Sequence, residues 1–177
     1  MKRLASRIKT IRIIDKSFKR IPKHYILQSL MAAVAITVIL NLVGFLTRGA
    51  IVAALGASTF ITFAMPNAVT ARPRRLIGGH IVGLLCGLLC YYAFQAWSSG
   101  EQSQSWLLLL RIDAAIAVGL SIFIMAVTNT EHPPAAGTAL GIVAHEWTYE
   151  TIIFILVCTI SLAILGRLLR GYLKDLV

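Results

Sequence analysis

Asn129-Thr-Glu-His-Pro-Pro-Ala-Ala-Gly-Thr-Ala-Leu-Gly141 is the stretch on which the fold turns. It follows an apolar run from Trp106 to Thr128 and carries two adjacent prolines near its centre. Neither proline can donate a backbone hydrogen bond, and the residue before a proline is pushed out of the helical region. The run from Trp106 is therefore expected to end near Glu131 or His132. Proline is favoured in the first turn of a helix, so Pro133 or Pro134 can open the next one. The outcome is a short helix from Pro133 to Ala144 whose N-terminus lies inside an apolar chain. Free N–H groups and the positive dipole end at such a terminus suit a small anion. Ala135, Ala136 and Gly137 leave room for close approach, and Thr138 adds a hydroxyl. The competing reading is a tight surface connection between two helices, and spacing alone leaves both open.

Outward from this break the chain is apolar almost throughout. Hydrophobic residues make up 58% and charged residues 14% of 177 residues, and the mean hydropathy is +0.80. A soluble domain of this length needs more charge to cover its surface. Four stretches are long enough to span about 30 Å of hydrocarbon at about 1.5 Å per residue. They run from Tyr25 to Leu46, Leu76 to Trp97, Trp106 to Thr128 and Thr151 to Leu169. Between the first two lies a second short segment, Gly49 to Met65, ended by Pro66. Both short segments are rich in small residues, as half-spanning or re-entrant helices are. The expected fold is an all-α integral membrane protein with four long transmembrane helices and two short ones.

Charge placement sets the topology. The formal net charge is +10, and nine of the 17 basic residues precede Tyr25. Next to an apolar span this reads as a cytoplasmic retention signal that touches anionic lipid, not as a nucleic-acid site. Leu4, Ile8, Ile11, Ile14, Phe18 and Ile21 fall on one helical face, so residues 1–23 are expected to form an amphipathic interfacial helix. Residues 24–177 form the membrane domain. Arg72, Arg74 and Arg75, then Arg167, Arg170 and Lys174, are the later basic clusters. If both short segments cross, every cluster and both termini are cytoplasmic, which favours six crossings. The chain then divides into two halves of opposite orientation, each reading long, short, long. Thr47–Gly56 and His132–Gly141 also share Ala, Ala, Leu and Gly at matching places. Inverted repeats with interrupted segments are a transporter signature.

Few side chains can carry chemistry. Ser58 and Thr59 in the first short segment could bind an anion, or simply bond the carbonyl four residues back. His80 follows Gly78-Gly79, which admits a close neighbouring helix, and it reads as a proton relay or as a polar anchor. Arg72, Arg74 and Arg75 could gather anions at a cytoplasmic mouth, or serve only topology. Asp113 lies inside a span, where an ionisable group is a functional candidate. Together with His80 and His132 it makes up the expected proton relay. Cys86, Cys90 and Cys158 read as packing residues; no metal or cofactor is expected.

His132-Pro133-Pro134 carries a resemblance. With Gly56-Ala-Ser-Thr59, Pro66 to Arg74, Ile77-Gly-Gly-His80 and Thr128 to Ala135, it makes the sequence similar to the HPP family of small integral membrane proteins. The resemblance covers Tyr25 to Val157 and implies four membrane spans. Cyanobacterial and chloroplast members are associated with nitrite transport, so it implies that cargo, and a bacterial inner membrane as the location. The expected anion ligands are His132, Pro133, Pro134, Thr138, Ser58, Thr59 and His80.

The expected function is a transporter or channel for a small monovalent anion, with the lipid bilayer as its other partner. A homo-oligomer stays open, and nucleic acid is not expected. The alternatives are a non-transporting structural or assembly protein, in which small residues serve packing alone, and a membrane enzyme. No nucleophile–base pair or metal-ligand spacing supports an enzyme.

Overall fold

The computed structural model describes residues 21–43, 49–97, 104–145 and 147–176. Within these the chain forms α1 (Pro22–Val43), α2 (Gly49–Ala64), a 3-10 turn (Val69–Ala71), α3 (Pro73–Trp97), α4 (Gln104–Thr128), α5 (Pro134–Ala144) and α6 (Tyr149–Leu168). No strand occurs among the described residues. The expected amphipathic helix at residues 1–23 lies almost wholly outside them.

Three helices are long and apolar enough to cross a membrane, over Pro73–Ala96, Trp106–Thr128 and Tyr149–Leu168. The expected first span from Tyr25 is helical to Val43 but is not among these three, and its last residues fall outside the described ones. Among the described residues three of the four expected long spans are thus present, with α1 beside them. The two short helices are where the sequence puts them, at 16 and 11 residues. At about 1.5 Å per residue they reach roughly 24 and 16 Å, short of the ~30 Å a span requires.

Direction favours passage over return. The start of α1 and the end of α2 meet at one end of the bundle. There buried Gln28 donates from Nε2 to the carbonyls of Phe63 (2.5 Å) and Lys174 (2.8 Å) and accepts the Lys174 N–H at 3.1 Å. Leu176 N–H bonds the Ala64 carbonyl at 2.9 Å, and the Tyr25 hydroxyl donates to the Leu176 carbonyl. The C-terminal tail therefore clamps α1 to α2. From this end α3 rises and α4 returns, α5 rises and α6 returns. Arg72, Arg74, Arg167 and Arg170 share the lower end. The upper end carries aromatics in edge-to-face contact: Tyr91, Tyr92 and Tyr149 around Trp147, and Phe94 against Trp106. Interfacial aromatics at the upper end, and arginines with Tyr25 at the lower, suit two membrane–water interfaces of which the lower is the basic one.

Burial explains why the short helices sit where they do. In α5, Ala135, Thr138, Ala139, Gly141, Ile142 and Val143 are buried, because α2, α3 and α4 surround it. α4 instead presents Leu108, Ile112, Ile116, Phe123 and Val127 outward, as a lipid-facing helix does. Cys158 packs with Phe154, Leu162 and Phe63, and Cys90 packs with Ala114, Ala117 and Ala139. The packing reading of those cysteines fits these surroundings.

Candidate functional site

The break before α5 is built differently from the sequence expectation. α4 stops at Thr128, not at Glu131 or His132. Asn129 takes a left-handed conformation (φ 55°), with Thr130 N–H on the Met125 carbonyl at 2.9 Å and Asn129 N–H on that of Ala126 at 3.4 Å. This is a Schellman ending with asparagine in the glycine place. Asn129, not the proline pair, ends the helix. Pro133 and Pro134 then open α5 as expected. The helix terminus itself is not a free donor, however. The prolines have no N–H, and the N–H groups of Ala135 and Ala136 bond the carbonyls of His132 (2.9 Å) and Pro133 (3.2 Å). The expected anion ligation by free N–H groups therefore finds no free donor on Ala135 or Ala136.

Glycines bring α5 against α3. A Cβ on Gly79 would lie 2.6 Å from His132 Cβ, on Gly83 2.3 Å from the Ala135 carbonyl oxygen, and on Gly87 2.8 Å from Ile142 Cβ. These glycines recur every four residues and form one stripe on α3. On its other side α5 meets α2 through Gly137 beside Ala54 and Gly141 beside Ile51. Arg75 fastens the connection from outside, pairing with Glu131 and donating to Asn129 Oδ1. Glu131 is therefore held by Arg75.

This close approach assembles four polar side chains, each 0% exposed. Thr138 Oγ1 lies 2.8 Å from His80 Nδ1, and Ser58 Oγ lies 2.9 Å from both His80 Nε2 and His132 Nε2. His132 Nδ1 is 2.9 Å from the carbonyl of Thr70 in the 3-10 turn. The two rings are 5.3 Å apart. At such burial an unmade hydrogen bond is costly, and these contacts are made within the chain. Burial pushes the His132 imidazole below its ordinary range, and the Thr70 carbonyl pulls the other way.

Below this cluster the arginine end opens as a cleft of about 510 Å³. Arg72, Arg74, Arg167 and Arg170 line it, with Thr62 and Leu162. Among the described residues that line it there is no carboxylate. Thr62 stands one helical turn below Ser58 and donates to its carbonyl at 2.9 Å. Ala71, next to Thr70, is also part of the wall. Cleft and buried cluster thus share α2 and the 3-10 turn.

Of the residues expected from sequence, Ser58, His80, His132 and Thr138 come together, and Pro133 and Pro134 position the last two. Thr59 stays out, its hydroxyl donating to the Leu55 carbonyl at 2.8 Å. Arg75 leaves the mouth for Glu131, and Arg167 and Arg170 take part instead. Asp113 is separate from both histidines. It lines a small cavity of about 150 Å³ at the aromatic end with Tyr91, Gln95, Trp106 and His145, and its Oδ2 is buried without a hydrogen-bond partner. Among the described residues no three His, Cys, Asp or Glu side chains group as metal ligands.

Comparison with known proteins agrees with this architecture. The transmembrane region of the HPP family matches residues 19–172. The chain belongs to the HPP family. It is an integral membrane protein with transmembrane helices. Two transmembrane proteins of Dictyostelium discoideum are similar to it. One is 32% identical over 90 residues, which are 51% of this chain and 28% of that protein. The other is 31% identical over 112 residues, 62% of this chain and 33% of that protein. The chain therefore spans a third or less of the length of these relatives. No solved structure matches it. In this HPP chain each residue of the His-Pro-Pro triplet has a local structural role. His132 closes the buried cluster, and the prolines start the helix that carries Thr138.

Proposed function

We propose that this HPP chain moves a small monovalent anion, nitrite being the cargo the family resemblance implies. The observation that carries the reading is the buried cluster of Ser58, His80, His132 and Thr138 behind an arginine-lined cleft. Four guanidinium groups without a lining carboxylate raise the local concentration of anions. The hydroxyls and imidazole N–H groups of the cluster are bonded to one another and to the Thr70 carbonyl, and in this reading they exchange those partners for a compact planar anion as it passes. The two short helices, which carry Ser58 and Thr138, run between the bundle ends in this reading, in the manner of interrupted helices at transporter sites. In this reading the arginine end and both termini face the cytoplasm of a bacterium, by the positive-inside rule, and the chain is a carrier of cargo rather than an enzyme.

Reconstitution tests it. Vesicles containing the pure protein are expected to take up nitrite faster than empty vesicles, and formate, nitrate and chloride uptake ranks the selectivity. Uptake no faster than in empty vesicles, for every anion and pH tried, would sink the proposal.

A further inference from the structure

Ser58 Oγ has three polar neighbours: the Ala54 carbonyl at 3.0 Å, His80 Nε2 at 2.9 Å and His132 Nε2 at 2.9 Å. A serine hydroxyl has one proton and two lone pairs. The Thr70 carbonyl only accepts, so His132 Nδ1 carries a hydrogen. In the neutral ring His132 Nε2 is then a bare acceptor, and Ser58 has to donate to it. His80 Nε2 must in turn be an N–H that donates to Ser58, leaving His80 Nδ1 to accept from Thr138. The opposite His80 tautomer would set two bare nitrogens against one hydroxyl proton. The neutral network is thus a one-way chain, from Thr138 to His80 to Ser58 to His132 to the Thr70 carbonyl. In this state one lone pair of Ser58 is unused, and the Ala54 carbonyl receives nothing from its hydroxyl.

We propose that His132 Nε2 and Ser58 together form a binding site for one proton, filled by turning a hydroxyl and moving no heavy atom. The arriving proton bonds to His132 Nε2, which becomes a donor to Ser58 Oγ. The Ser58 hydroxyl swings from His132 to the Ala54 carbonyl. Ser58 then uses all three of its neighbours, accepting from both histidines and donating once. The one bond broken is the O–H of the hydronium that delivers the proton and leaves as water, and the site gains one positive charge.

That charge defines the second half of the inference. A buried imidazolium is costly unless paired. Near His132 stand His80 on α3 and Glu131, which Arg75 already neutralises, while the carboxylate of α4, Asp113, lies at the opposite, aromatic end. α2 and α5 contain no titratable residue. α6 offers Cys158 in the adjoining apolar cluster and arginines at the cleft. Among the described residues these surroundings hold no fixed carboxylate partner, so a mobile monovalent anion is the natural counter-ion, and proton and anion load as a neutral pair. This coupling rests on the transport reading above; the proton site rests on the hydrogen bonds alone.

Two measurements decide it. Nitrogen-15 resonances of the histidines, recorded on the full chain in lipid nanodiscs and assigned with His80→Gln and His132→Gln, are expected to show an Nδ1–H tautomer at His132 and an Nε2–H tautomer at His80. On acidification His132 gains its second proton before His80 does. An Nε2–H tautomer at His132, or a His132 that stays neutral down to pH 4 in folded protein, overturns the proton site. In proteoliposomes with an internal pH dye, about one proton is expected to enter per nitrite after subtraction of empty vesicles. Nitrite uptake without protons, driven by an inside-positive potential, overturns the coupling while the transport reading stands. If no anion enters at all, the transport reading and the coupling both fail, and the resonance titration still decides the proton site.

Discussion

Gly83→Ala isolates the packing that assembles the site. In a helix this change ordinarily stabilises by about 0.5–1 kcal/mol, because alanine loses less backbone entropy than glycine. At Gly83 the added Cβ would lie 2.3 Å from the Ala135 carbonyl oxygen, whereas ordinary contact begins near 3.4 Å. α3 and α5 must therefore part by about 1 Å, and the obstacle is backbone, which cannot rotate away. Overpacking of this kind costs about 1–3 kcal/mol, so the helix gain is reversed. The same shift stretches the 2.8 Å contact between His80 and Thr138 beyond hydrogen-bond range. Gly119 is the control, since a Cβ there meets nothing within 4 Å. Thermal unfolding in detergent should then place Gly119→Ala at or slightly above wild type and Gly83→Ala several degrees below it, at about 2–4 °C per kcal/mol. Nitrite uptake at matched incorporation should fall in Gly83→Ala only. A Gly83→Ala protein as stable as Gly119→Ala, with full uptake, would refute the backbone contact and the reasoning built on it.

Three further outcomes follow from other contacts. Gln28→Leu leaves the Phe63 and Lys174 carbonyls and the Lys174 N–H without their partner; the expected cost is about 1–3 kcal/mol, and limited proteolysis should release the C-terminal tail earlier. Asn129→Val forces a β-branched residue into a left-handed conformation, with a loss of roughly 1–3 kcal/mol, whereas Asn129→Gly should unfold at or near the wild-type temperature. Replacing Arg72 and Arg167 together by Gln should raise the KM for nitrite with little change in maximal rate. That effect should shrink with added salt, because exposed charges act by attraction at a distance.

Much of the fold was legible because periodicity and length suffice for it. The short helices begin and end within a residue of the positions that Pro66 and the proline pair indicate. The end of α4 was not legible in the same way. Asparagine in a left-handed cap is a local competitor that the stronger proline signal hides. At the site, Ser58, His80, His132 and Thr138 could be named singly, as small polar groups in apolar helices. Their meeting could not, since it depends on which glycine face α3 turns to α5. Thr59 and Ser58 are neighbours of similar chemistry, and only the packing shows that one faces the histidines while the other bonds its own helix. Arg167 and Arg170 were visible as charge, but their place in the cleft comes from the return of α6 beside α3. Gln28 gave no warning, because its partners lie far along the chain, at the end of α2 and on the C-terminal tail.

Nitrite uptake by Ser58→Ala, against wild type at equal incorporation and with folding verified by the melting curve, tests the central claim most directly. The hydroxyl is the single atom that joins both histidines, and among the described residues it has no other side-chain partner. Its loss is expected to lower uptake at least tenfold, an effect of about 1.4 kcal/mol or more. A folded Ser58→Ala protein that takes up nitrite at the wild-type rate would contradict the assignment of this cluster as the anion's path.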